Sequence, residues 1–98
     1  MTEYWEKELK DAVWSNRPDL IENCIKNGVN VDFIVSGGMG RSQLFVGIIH
    51  QKLDAVKCLL EAGANPNLAD DFDKTPMQHA KSSGLDEFVV LLKAYGGI

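Results

Sequence analysis

Residues 63–80 read GANPNLADDFDKTPMQHA. The stretch opens as one helix ends and closes as another begins. Gly63 follows the apolar pair Leu59-Leu60, a position where a glycine commonly stops a helix. Thr75-Pro76 reads as a start: a hydroxyl N-cap, then proline in the first turn. A seam of this kind inside a 98-residue chain predicts a small structural unit used more than once.

The glycines set the period. Gly96 follows Leu91-Leu92 as Gly63 follows Leu59-Leu60, and the two glycines stand 33 residues apart. The same offset carries Thr75-Pro76-Met77 onto Ser42-Gln43-Leu44, Ala80 onto Gly47, Gly84 onto Gln51 and Val89 onto Val56. Upstream, Gly28 in CIKNGVNVD precedes Gly63 by 35 residues, so two extra residues separate the first two units. With that offset Leu9 matches Leu44, Ala12 matches Gly47 and Ile21 matches Val56. Three units result, about 2–36, 37–69 and 70–98, in a single domain.

Each unit reads as helix, turn, helix, loop. Leu44, Gly47 and Ile48, and likewise Met77 and Ala80, recur three and four apart, which gives each first helix one buried face. Breaks are expected at 15–18, 50–52 and 82–84, with second helices through Leu20–Ile25, Ala55–Leu60 and Phe88–Leu92. One such unit cannot cover its own apolar face, whereas three stacked units bury a continuous core. The expected fold is all-α.

A 33-residue period with a T-P-L-H-x-A start is the mark of the ankyrin repeat. Thr75-Pro76-Met77-Gln78-His79-Ala80 and LLEAGANPN (59–67) resemble that family's motifs, and the likeness runs through essentially the whole chain. It implies an ankyrin-repeat solenoid of three stacked helix-turn-helix units with short projecting loops, the terminal units acting as caps. Departures from the motif are local. Asp73 stands for the usual turn glycine, and Phe45 and Gln78 stand for the motif histidine. Ser42-Gln43 replaces Thr-Pro, which predicts a looser start to the middle unit's first helix.

Composition narrows the function. The net charge is −4, with no cluster of Lys and Arg, which disfavours direct nucleic-acid binding. No apolar run approaches the roughly 18 residues that cross a membrane. The polar start MTEYWEKELK is no secretory signal, so a cytoplasmic protein is expected. Cys24 and Cys58 sit among apolar residues and read as buried free thiols. His50 and His79 lie 29 residues apart, without the spaced cysteines or carboxylates of a zinc site. Asp70, Asp71 and Asp73 lack the glycine and terminal glutamate of a calcium loop, and the glycines at 37–40 lack the Gly-Lys-Ser/Thr of a phosphate loop. No nucleophile and base are paired, so no enzyme, cofactor or metal is expected.

The resemblance implies that loops project as fingers and that the first helices line a concave binding face. The fingers map to Asp32–Arg41, DFIVSGGMGR, and to Asn67–Lys74, NLADDFDK. The glycines of the first are expected to give it mobility. Candidate partner-binding residues are Trp14, Phe45, Val46, Ile49, His50 and His79 on the first helices, with Asp70, Asp71 and Phe72 on the second finger. Trp14 also fits a second role, as a lid on the first unit's core. The three units hold seven, two and five Asp and Glu residues, so an apolar centre would sit between acidic flanks. That layout suits a protein partner with a basic rim, and equally a solvated surface that keeps the chain soluble.

The expectation is a protein-binding module: a small stand-alone inhibitor or immunity-type protein that occludes a partner's surface, as a monomer or in a heterodimer with that partner. Alternatives are an adaptor or self-associating structural module, or an acidic mimic that blocks a nucleic-acid-binding protein.

Overall fold

The protein is described here from a computed structural model covering residues 2–35 and 37–98; Met1, and Ser36 within the first finger, lie outside the described residues. The described residues form six helices in chain order: α1 Thr2–Trp14, α2 Pro18–Lys26, α3 Gln43–Ile49, α4 Leu53–Glu61, α5 Pro76–Ser82 and α6 Asp86–Ala94. They pack in pairs, α1 with α2, α3 with α4 and α5 with α6. Pairs then stack through α1 on α3, α3 on α5 and α2 on α4. The one strand-like pairing among the described residues is an antiparallel bridge between Ile34 and Ser42 at the base of the first finger.

The three- and four-residue spacing of apolar positions accounts for this stacking. Leu9, Ala12 and Val13 of α1, Leu44 and Ile48 of α3, and Met77 and Ala80 of α5 are all buried. They join Ile21, Cys24, Ala55, Val56, Leu59 and Leu92 of the second helices in one continuous core. Small residues mark where the helices come closest. A Cβ placed on Gly47 would lie 2.9 Å from Val56 Cγ2 and 3.6 Å from Val13 Cγ1. Both cysteines are free and buried, and burial pushes each thiol up from its ordinary value, which favours the protonated form.

The second helices are longer than the apolar runs alone suggest. Pro18 is the first residue of α2, where its missing N–H is no loss, and does not belong to the preceding break. The start of α3 keeps half of the cap that α5 has. The Ser42 hydroxyl accepts from the Phe45 N–H at 3.2 Å, as Thr75 Oγ1 accepts from the Gln78 N–H at 3.2 Å. What α3 lacks is the return half of the capping box, in which the Thr75 N–H donates to Gln78 Oε1 at 2.9 Å. Phe45 occupies that third helical position and has nothing to accept with.

Polar side chains stitch the units together. Lys52 at the N-cap of α4 makes no side-chain cap bond. The Ala55 N–H in the first turn of α4 donates instead to Asn16 Oδ1 at 2.8 Å, so the first unit caps a helix of the second. Asn16 reaches across from the left-handed region, at φ +55°. Losing this cap by Asn16→Ala is expected to cost about 1–2 kcal/mol, read from a urea unfolding curve. Asn16→Gly, which relieves the backbone but not the cap, is expected to cost less.

The loops repeat a second device. Asn30 Oδ1 accepts from the Asp32 N–H and Asn65 Oδ1 from the Asn67 N–H, each at 2.9 Å. Across units, Asp32 Oδ1 accepts from the Asn65 N–H at 2.8 Å and Asn67 Oδ1 from the Ile98 N–H at 3.0 Å. The same bond therefore recurs at each junction, and it holds the loops at one spacing.

Candidate functional site

The first helices and the two fingers make one face of the stack. In the first finger the Gly38 N–H donates to Val35 O at 3.0 Å and the Arg41 N–H to Gly38 O at 3.3 Å. The two fingers are joined where the Asp71 N–H donates to Met39 O at 2.9 Å. Gly40 permits that approach, since a Cβ there would stand 2.9 Å from the Asp71 nitrogen.

Asp73 occupies the place of Gly40 one unit later and holds a left-handed φ of +61° against the glycine's +72°. Non-glycine residues pay for that conformation, Asp less than most. Asp73→Gly is therefore expected to raise stability by about 0.5 kcal/mol, the relief being partly offset by the freer unfolded chain. Thermal unfolding of the two proteins side by side checks this.

Asp70, a candidate partner-binding residue, is instead buried. Its side chain is only 2% exposed. Asp70 Oδ1 accepts from the Phe72 N–H at 2.9 Å and the Lys74 N–H at 3.0 Å, so it shapes the second finger from inside. Those bonds, the one from Lys74 foremost, hold its carboxyl below the ordinary value, with smaller help from the charges of Arg41 and Lys74. A carboxylate favoured by the fold stabilises it above the unfolded-state value near 4, and that contribution disappears as pH falls through the lowered folded value. Asp70→Asn is expected to flatten the acid limb of the stability curve below about pH 4, measured by urea unfolding at a series of pH values.

Phe45 is likewise removed from the contact surface. It is 1% exposed, because α3 is the middle helix of its row and is covered from both sides. The His79 ring lies against it at 5.8 Å between centroids, and the Arg41 guanidinium stands 5.8 Å from its ring centre. His79, half-buried there, has its pKa pushed down by burial first and by Lys74 and Arg41 second.

The other candidates reach solvent. Trp14, at the end of α1, is 58% exposed, and Phe72, at the tip of the second finger, is 72% exposed. Asp71 and His50 are exposed, and Val46 and Ile49 are half-buried. The His50 ring meets Trp14 edge-on at 4.6 Å, and Lys52 Nζ lies 5.3 Å over the indole. Trp14 and Val46 come together in a cleft of about 340 Å³ between α1, α3 and the first finger, lined also by Lys10, Asp11, Val35, Gly38, Arg41 and Gln43. None of the other candidates lines it, Ile49, His50, Phe72 and His79 included.

Lys10 and Arg41 are additions that the apolar pattern did not single out. Lys10 was legible in register, since it precedes Phe45 by the same 35 residues that relate the first two units. Among the described residues no group of three His, Cys, Asp or Glu is placed to hold a metal ion.

No family profile matches the chain. It is 40% identical over 58 residues to the serine/threonine-protein kinase VIK of Arabidopsis thaliana, covering 59% of this chain and 13% of that protein. It is 30% identical over 86 residues to the E3 ubiquitin-protein ligase KEG of the same plant, covering 88% of this chain and 5% of that protein. The putative ankyrin repeat protein YahD of Escherichia coli is 46% identical over 41 residues, 42% of this chain and 20% of that protein. The chain thus spans a fifth or less of the length of these relatives. Among solved structures, an ankyrin repeat domain from Acinetobacter baumannii superposes with a TM-score of 0.79 at 35% identity, over 92% of this chain and 47% of that one. That superposition covers nearly the whole chain, in which a 33-residue offset and a Thr-Pro helix start were already those of such repeats: the chain belongs to the ankyrin repeat family.

Proposed function

We propose that the concave face of this chain binds another protein through Trp14, Val46, Ile49 and Phe72, and that it acts by covering a functional surface of that partner, as an inhibitor or immunity-type protein does. Ankyrin repeats are protein-binding scaffolds, typically without catalytic activity of their own. The observation that carries the site is Trp14. A fold that buries Val13 and Phe45 leaves the neighbouring indole 58% exposed, beside a cleft. Large aromatic side chains are enriched at the centres of protein interfaces. Burying one contributes on the order of 1.5–3 kcal/mol.

The exposed Asp71 and Asp73 of the second finger suit a partner with a basic rim. Occlusion by a cytoplasmic monomer that forms a heterodimer with its partner is the simplest use of such a face. No helix among the described residues is long and apolar enough to cross a membrane.

A second reading, a recruitment module, is favoured by the relatives. The regions of VIK and KEG that resemble this chain are small shares of much longer proteins.

Affinity capture from native lysate tests the site. The wild-type chain should recover one partner that a Trp14→Ala, Ile49→Ala, Phe72→Ala triple variant does not. Equal recovery by both refutes the assignment. A complex with apolar anchors should also lose only a modest part of its affinity with added salt, whereas a mimic of nucleic acid should lose it steeply.

A further inference from the structure

We infer that the cleft beside Trp14 receives an acidic segment of the partner, with a carboxylate side chain seated next to an apolar one. This rests on the reading that the concave face binds protein, and it adds the chemistry of what is bound.

The walls supply the apolar half. Trp14, Val35 and Val46 line the cleft, and α3, QLFVGII, brings no charge to it. The charged half is cationic. Lys10 and Arg41 line the cleft, and Lys52 Nζ stands 5.3 Å over the Trp14 ring. Lys10 has no ion-pair partner among the described residues.

Arg41 is only loosely matched within the fold. Its Nε is buried without any hydrogen-bond acceptor and lies 3.8 Å from Asp70 Oδ2. The Asp70 carboxylate meanwhile already accepts two backbone N–H groups. The single acid lining the cleft, Asp11, is engaged by Lys7 at 3.1 Å.

The chain's overall charge of −4 does not reverse this. Of its acids, Asp19, Glu22, Asp54, Glu61, Asp86 and Glu87 sit on α2, α4 and α6, the other row of helices, while Glu3 and Glu6 of α1 line a neighbouring depression that shares only Lys10 and Val35 with the cleft. Packed helices lie about 8–10 Å apart, and the screening length at physiological salt is about 8 Å, so a bound group senses Lys10 and Arg41 first. The acids of the second finger tip, Asp71 and Asp73, do not line the cleft and remain available to a basic rim elsewhere on the partner.

Selection of random peptides displayed on phage against the whole chain tests this. The selected peptides should carry Asp or Glu beside an apolar residue. A synthetic copy of one should bind at least about tenfold more weakly to Lys10→Glu and to Lys52→Glu proteins, whose unfolding curves should match the wild type. Basic or uncharged selected peptides, or acidic ones indifferent to both charge reversals, overturn the proposal. If such peptides still lose affinity with Trp14→Ala, the concave-face reading stands and only the acidic segment falls. If no selected peptide responds to Trp14→Ala, both fall.

Discussion

Gly47→Leu is expected to remove a large share of the stability of this chain. Gly47 lies midway along α3, with the methyl of Val56 2.9 Å and that of Val13 3.6 Å from where its Cβ would stand. Those contacts join α3 to α4 within its unit and to α1 of the neighbouring unit. Val56 is β-branched, fully buried and stiff at χ1, so it has little room to turn aside. Overpacking a tight core costs about 1–3 kcal/mol and more where the backbone cannot yield. A leucine here must push apart three helices at once, and a loss above about 3 kcal/mol is expected from a domain whose whole stability is about 5–15 kcal/mol. Urea unfolding followed by far-UV circular dichroism measures it. Gly47→Ala is the control, since Ala12 and Ala80 fill the equivalent positions. Its gain in helix propensity of about 1 kcal/mol only partly offsets the close contact that its Cβ already makes, and a loss clearly smaller than that of Gly47→Leu is expected.

Phe45→Ala and Trp14→Ala should separate cleanly, although the sequence pattern puts both residues on the same face. Phe45 is fully enclosed between Arg41, His79 and the core, so its truncation is expected to cost about 3–5 kcal/mol of stability. Trp14 gives up only an edge contact with His50 and the cover of Lys52, and its loss should cost at most about 1 kcal/mol. For partner binding the order reverses. Trp14→Ala is expected to weaken the complex at least about 30-fold, the scale of an interface hot spot. Calorimetric titration with the captured partner, beside thermal unfolding of each variant, gives both numbers. A Trp14→Ala protein that binds normally would return Trp14 to the role of a lid on the first unit.

The repeat was legible because stacking demands the same side-chain size at the same place in each copy, as at Ala12, Gly47 and Ala80. The surface was less so. Phe45 matches Gln78 by offset, and Gln78 is exposed at the end of the row. Phe45 is in the middle of it, with a helix on either side, and an offset carries no information about neighbours. Asp70 was hidden for a different reason. In a run of acids it reads as solvated, yet its carboxylate takes the N–H two residues on, as Asn30 and Asn65 also do. Asp and Asn at loop positions commonly fold back in this way, so the signal was present and outweighed by charge. Arg41 becomes meaningful only in three dimensions, where its Nε is found buried beside Asp70, itself buried.

The most direct test of the central claim is a map of backbone amide chemical shifts on the labelled chain as the captured partner is added. The changes should gather along α1 and α3, around Trp14, Val46 and Ile49, and at both finger tips. Changes gathered on α2, α4 and α6, with the amides around Trp14 and Phe72 unmoved, would contradict it.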